Sequence, residues 1–274
     1  MTSVLRGAHP DELSHFSDWA AAEGWNPGLD DMAAFHATDP DGFFVAEIEG
    51  EPVAAISVVN HSDAHAFLGF YLCRPAYRGA GIGYALWQHA LDHAGARTVG
   101  LDGVADQEAN YRKSGFQRAG ASVRYAGALT GQPDPRVRAV EAGDFDTVRA
   151  LDRAATGVER DAFLAQWKTD TETRRTLMLA DETGFATIRR CREGTKIGPV
   201  IAPSAEAAMT LCRAAVAAVP SDHTFIDLPD TSQDLITRLT GEGFVDTFAT
   251  ARMYRGPAPA ASALQQAIAT MELG

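Results

Sequence analysis

The sequence predicts an α/β chain: two tandem copies of one domain, each a mixed twisted sheet flanked by helices. Three observations carry this. β-rich runs and amphipathic helical stretches alternate along all 274 residues. The stretch ALTGQPDPRV, residues 128–137, holds two prolines and a glycine and separates halves in which one order of elements recurs. The halves also end alike: NYRKSGFQRAGASVRYAG (110–127) is echoed by RLTGEGFVDTFATARMYRG (238–256), each stepping from a helix through Gly-Phe into a strand.

In order, SVLRGA is a short strand. HPDELSHFSDWAAAEG has helical spacing in Leu13, Phe16 and Ala20 and stops at Gly24. A second helix covers Leu29 to Ala37, before Asp39-Pro40. GFFVAEIEGEPVAAISVVN is two β-rich runs around Glu49-Gly50-Glu51-Pro52, a hairpin signal. AHAFLGFYLCRP is a strand closed by proline, and Gly81 to Ala94 is a helix with Ile82, Leu86 and Leu91 inward. RTVGLDGV is a strand, DQEANYRKSG a helix capped at Asp106, and FQRAGASVRYAG a final strand. The second half repeats the scheme. RVRAVEA is followed by two helices, RTLMLADETGFATIRRCREG and KIGPVIA supply strands, and SAEAAMTLCRAAVAAV is a helix. HTFIDLP, SQDLITRLTGEG and FVDTFATARMYRG close it as strand, helix and strand. Expected boundaries are 1–130 for the first domain and 135–257 for the second, with 258–274 a Pro/Ala hinge and a short terminal helix, either packed on the body or frayed.

Composition narrows the function classes. A net charge of −12 repels phosphate backbones, so nucleic acid is not an expected partner. The acidity weakly favours a cationic partner and, as readily, serves solubility alone. No window approaches the roughly 18 apolar residues of a membrane span. The first residues lack the pattern of a secretion signal. Three widely spaced cysteines suggest neither a disulfide framework nor a zinc cluster, and a reducing cytoplasm is expected.

The informative stretch is GFYLCRPAYRGAGIGYALW, Gly69 to Trp87. Glycines alternate at 79, 81 and 83 between a strand and a helix. A P-loop needs Gly-Lys-Ser/Thr, which Gly83-Tyr84-Ala85 is not. A dinucleotide fingerprint needs G-x-G-x-x-G after a first parallel strand, and the spacing here is G-x-G-x-G, late in the domain. R-G-x-G-x-G at a helix start can wrap a pyrophosphate in successive N–H groups, helped by the helix dipole.

At these residues the chain resembles the GNAT superfamily of acyl-CoA-dependent N-acetyltransferases. CRPAYRGAGIG is similar to its apolar-x-P-x-x-R-G-x-G-I-G signature, and NYRKSGF to its tyrosine-x-x-x-glycine-phenylalanine step. The strand–helix order over roughly residues 3–127 matches too. EGWNPG, GLDGV, RYAG and ARMYRG further resemble a tandem subgroup whose second GNAT-like domain is degenerate.

The resemblance implies acetyl-CoA as cosubstrate, no metal, and a cleft between two splayed parallel strands, FLGFYLC and TVGLDGV. Tyr71, Leu72 and Cys73 would pair with the pantetheine. Arg78, Gly79, Ala80, Gly81, Ile82 and Gly83 would hold the pyrophosphate, with Tyr84 lining the helix start. Tyr111 matches the tyrosine that protonates the departing sulfur. The base is open between Asp102, Glu47 and a chain of waters, with Asp102 the choice. Trp25 and Asn26 face the acceptor or merely pack and turn; Asp227, Arg252 and Tyr254 are their partners from the second half. Cys73 reads as strand packing, and the pairs His89/His93 and His61/His65 as solvated faces.

The second copy lacks both devices. GPVIAPSAEAAM has no alternate glycines, and Leu239 stands where Tyr111 does. One cofactor site per chain is expected. The implied activity is acetyl transfer to a primary amine, of a small molecule or a lysine side chain, through a tetrahedral intermediate. The alternative is a non-catalytic acyl-CoA sensor or an interaction module.

Overall fold

The computed structural model describes residues 3–274. The first half runs β1 (Val4–Gly7), α1 (Leu13–Ala22), α2 (Asp31–Thr38), β2 (Phe43–Ile48), β3 (Glu51–Asn60), β4 (His65–Cys73), α3 (Ile82–Ala94), β5 (Thr98–Val104), α4 (Glu108–Lys113) and β6 (Gln117–Gly127). The second runs β7 (Val137–Ala139), α5 (Phe145–Thr156), α6 (Asp161–Trp167), β8 (Arg174–Leu179), β9 (Phe185–Arg190), β10 (Thr195–Ile201), α7 (Ala205–Ala218), β11 (Thr224–Pro229), α8 (Gln233–Gly241) and β12 (Val245–Arg255). Short β13 (Gln265–Ala267) follows. The expected hairpin turns at Glu49 and Gly50, both left-handed, which matches the twist of the strands they join. Asp106 does not cap α4: it lies in a 3-10 turn, and Gln107 takes the cap position.

All thirteen strands form one sheet, ordered β1-β2-β3-β4-β5-β12-β6-β11-β10-β9-β8-β7, with β13 on β10. The halves have exchanged their last strands. β12 lies between β5 and β6, antiparallel to both, and β6 lies between β12 and β11. Each half is thus completed by the other.

The exchange is locked by two reciprocal ion pairs. Arg252 on β12 stands opposite Asp102 on β5, and Arg124 on β6 stands opposite Asp227 on β11. Both pairs are two-pronged, with N–O distances of 3.0 and 2.6 Å in the first and 2.7 and 2.9 Å in the second. Burial alone would raise the Asp227 carboxyl; the Arg124 guanidinium outweighs it and holds the group down at about 2.

α3 packs on the first half of the sheet and α7 with α8 on the second. A central core draws on both halves: Phe16, Phe35 and Phe70 meet Phe163 and Trp167. At its edge Asp31 is fully buried and binds Arg189 (2.9 Å), Arg174 (3.1 Å) and the Gly28 N–H (2.8 Å). That fastens the turn before α2 to the second half.

The tail departs from expectation. Residues 258–274 contain no α-helix; they form β13 and a turn. Residues 266–274 are buried. Helical spacing in LQQAIATMELG is a local preference, and an unfilled sheet position overrides it. Among the described residues, no helix is long and apolar enough to cross a membrane.

Candidate active site

β4 and β5 pair in parallel from His65–Thr98 to Leu68–Leu101 and no further. Beyond that point β4 bulges. Between the pairs Ser57–Gly69 and Ala55–Leu72, β3 advances two residues and β4 three. Phe70 takes up the extra length in a left-handed conformation, φ 47°. The strands then part, and the backbone from Gly69 to Cys73 faces an open cleft.

The loop after β4 leads into α3. Gly79 and Gly81 have φ of 80° and 79°, a region that side chains resist, and a Cβ on either would meet only open space. Among the described residues, the successive N–H groups from Gly79 to Tyr84 donate to no protein acceptor. A row of free donors at a helix start, with nothing on its open side, fits a bound pyrophosphate. The Arg78 side chain folds back, donating to the Cys73 carbonyl (2.8 Å) and pairing with Glu23. Tyr71, Leu72, Cys73, Arg78, Gly79, Gly81, Gly83 and Tyr84 all line one cavity of about 480 Å³. Ala80 and Ile82 do not: Ala80 is exposed and the Ile82 side chain is buried under α3. Only their main-chain N–H groups belong to the unpartnered row.

Tyr111 lines the same cavity. Its ring stacks on Trp87 at 5.3 Å and lies over Gly103, where a Cβ would stand 2.3 Å from the ring. Burial, and then neighbouring Tyr71, push its phenol above the ordinary value. Tyr71 is raised to about 12 by burial. Both stay protonated near neutrality and can donate.

Asp102 lines the cavity too, but its carboxylate is engaged. Its side chain is fully buried, Arg252 holds both oxygens, and the hydroxyls of Ser122 (2.9 Å) and Thr250 (3.2 Å) add to Oδ1. A carboxylate so engaged is a structural anchor of the exchanged strands. Glu47 is bound to Arg6. The acceptor-side expectations divide. Trp25 lines the cavity and also packs on the central core. Asn26 does not line it: its amide exchanges hydrogen bonds with the Glu193 main chain (2.9 and 3.2 Å). Asp227 is covered by Arg124, which lines the cavity in its place. Arg252 and Tyr254 line a separate cavity of about 50 Å³. Burial raises the Cys73 thiol, against a nucleophilic role. His93 bonds Asp39 at 2.8 Å, and His61 is half-buried with its Nε2 3.0 Å from the Leu273 carbonyl.

The cavity also takes in Glu23, Phe248, Met271 and Glu272. Sequence reasoning missed these. Arg124 sat inside the quoted RYAG motif, but nothing local marks a tail residue as part of a site formed 200 positions earlier.

Profiles of the "Acetyltransferase (GNAT) family" and of an "Acetyltransferase (GNAT) domain" match residues 10–116 and 148–267 respectively. A holothin acyltransferase of Pseudoalteromonas sp. (strain SANK 73390) is 36% identical over 280 residues, covering 100% of this chain and 95% of that one. The chain belongs to the GNAT acetyltransferase family. Two solved structures share the fold of this tandem GNAT protein. One is a putative acetyltransferase from Pyrococcus horikoshii (TM-score 0.83, 22% identity, 99% of this chain and 96% of that chain). The other is a tandem GNAT protein from the clavulanic acid biosynthesis pathway (TM-score 0.66, 17% identity, 94% and 100%).

In the second GNAT copy the same splay exists and is filled. β10 and β11 pair in parallel only from Thr195–Thr224 to Ile197–Ile226. β13 then runs antiparallel along β10, and the Ile268 N–H donates to the Asp227 carbonyl on β11 (3.0 Å). The tail thus occupies the position that an extended ligand would take between the strands. The α7 start is closed as well, since the Ser204 hydroxyl accepts from the Ala207 N–H (3.2 Å). Calorimetric titration is therefore expected to give one acetyl-CoA equivalent per chain, and two equivalents would contradict this.

Proposed function

We propose that this protein is an N-acyltransferase that moves an acetyl group from acetyl-CoA to a primary amine, of a small molecule or a lysine side chain. One observation carries the reading: a single cavity joins the bare backbone of β4, the free N–H row from Gly79 to Tyr84, and the protonated phenol of Tyr111. A binding module requires the first two; a buried proton donor in the same cavity favours chemistry.

Acetyl-CoA, when bound, supplies an activated thioester. The N–H groups of residues 79–84 would hold its pyrophosphate, and the open edge of Gly69–Cys73 would pair with its amide-bearing arm. The main-chain amides of the bulge around Phe70 would be the groups to stabilise the oxyanion that amine attack creates. Tyr111 delivers a proton to the leaving sulfur. Trp25 and Phe248 give the acceptor end apolar walls. The free thiols of Cys73, Cys191 and Cys212 suit a reducing cytoplasm.

The test is a screen of primary amines with purified protein, following CoA thiol release. Release that depends on the amine supports the reading; tight acetyl-CoA binding without release from any amine turns it to a sensor. In the same assay Trp25→Ala is expected to raise the acceptor KM several-fold while leaving acetyl-CoA affinity unchanged.

A further inference from the structure

The acyl-transfer reading lacks a group to deprotonate the acceptor, because Asp102 is consumed by Arg252. A different carboxylate stands at the inner end of the cleft. After β13 fills the second splay, the tail crosses to the first and is pinned along the way. Met271 Sδ lies 3.9 Å from Arg124 Nη2, and the Leu273 carbonyl accepts from His61 Nε2 at 3.0 Å. The Gly274 carbonyl accepts from Arg160, and the Gly274 N–H closes the turn on Thr270 O (2.9 Å). Glu272 sits between these anchors.

Its position is set by a glycine. A Cβ at residue 69 would stand 2.0 Å from the Glu272 carbonyl oxygen, so only glycine lets the tail lie on β4 at the point where β4 and β5 part. That point is where an acyl group must end. The pyrophosphate loop follows the outer end of β4, so a ligand arm laid along Cys73 to Gly69 runs inward and stops where the strands converge. The Glu272 side chain is buried yet lines this cavity. The Thr270 hydroxyl donates to Oε2, and the Glu272 N–H reaches Thr270 Oγ1 (3.2 Å). Among the described residues, Oε1 has no protein partner and no ion pair forms on the group. That oxygen is not sealed in the core but opens onto the cavity, where water or a ligand amine can meet it.

We propose that Glu272, carried in by the tail, is the general base. Its carboxylate takes a proton from the acceptor ammonium and passes it to solvent. The freed amine attacks the thioester carbonyl, forming the C–N bond. As the oxyanion collapses the C–S bond breaks, Tyr111 protonates the sulfur, and the proton shed by the amide nitrogen returns to Tyr111 through water. The balance is one amide, one CoA thiol and one proton released. The plugged second splay then has a use: it anchors the strap that delivers the base.

The experiment compares wild type, Glu272→Gln and Glu272→Asp with acetyl-CoA and benzylamine, or the best amine of the screen above. Glu272→Gln is expected to lower kcat about 100-fold or more, with acetyl-CoA affinity within about twofold, and Glu272→Asp to fall between. A kcat within about threefold of wild type overturns the assignment, as does a raised amine KM at unchanged kcat, which would mean Glu272 only binds the ammonium. Should circular dichroism show Glu272→Gln unfolded, Glu272→Asp decides: an unchanged kcat overturns the base, and a fall of about tenfold supports it. No release by wild type with any amine overturns the acyl-transfer reading itself; release by wild type that the variants match overturns Glu272 alone.

Discussion

Tyr111→Phe is expected to lower kcat about 100-fold while leaving acetyl-CoA affinity unchanged, because a positioned general acid contributes on that order. The substitution isolates the hydroxyl. The ring is held by Trp87 on one side and by the bare backbone of Gly103 on the other, and phenylalanine fills the same slot. A thiolate is a fair leaving group, so some turnover survives. The pH dependence has a definite sign. A phenol whose pKa burial has raised keeps its proton past its ordinary value near 10. The acid form therefore persists through neutral and moderately alkaline pH, and Tyr111 gives no alkaline loss of kcat below about pH 10. Stopped-time assays from pH 7 to 10 check this. An unchanged kcat in Tyr111→Phe would remove Tyr111 from proton transfer; a fall in that range present in wild type and absent in the variant would mean instead that Tyr111 titrates there and that burial does not raise its phenol.

The glycine loop and the cavity it borders were legible because their constraints are local. Left-handed backbone at Gly79 and Gly81 demands glycine, the loop must sit between strand and helix, and the spacing from Gly115-Phe116 back to Tyr111 spans little more than one helical turn. The order of elements was legible for the same reason, since period and turn chemistry are written into short windows. What failed depends on partners far along the chain. Asp102 looks like a base beside the cleft until Arg252, 150 positions on, closes over it. Asn26 looks like a substrate contact until the Glu193 turn satisfies its amide. Nothing local distinguishes a tail that frays from one that fills a vacant sheet position and ends at the other copy's cavity. The exchange of β6 and β12 was hidden likewise, because either strand would suit its own half by pattern.

That exchange bears on stability. Asp227→Asn is expected to destabilise the protein by roughly 3–5 kcal/mol, since it leaves the Arg124 guanidinium buried and unpaired. Set against a total stability of about 5–15 kcal/mol, this amounts to a fall in Tm on the order of 10 °C. Replacing both partners by apolar residues, Asp227→Leu with Arg124→Met, is expected to cost less than Asp227→Asn alone, because no buried charge remains. The residual cost reflects the bond from Arg124 Nη1 to the Trp25 carbonyl (2.7 Å). The linkage runs one way. With a folded pKa of about 2 and an unfolded value near 3.9, Asp227 contributes its full stabilisation above about pH 4 and loses it as pH falls through 2. The gap in Tm between wild type and Asp227→Asn should therefore be constant from pH 5 upward and narrow between pH 4 and 2. A gap that is absent at pH 7 would mean that the buried pair is not what joins the halves. Because each half borrows a strand from the other, melting should show one transition monitored by Trp fluorescence and by circular dichroism alike. Two separated transitions would mean that the copies hold together independently of the exchange.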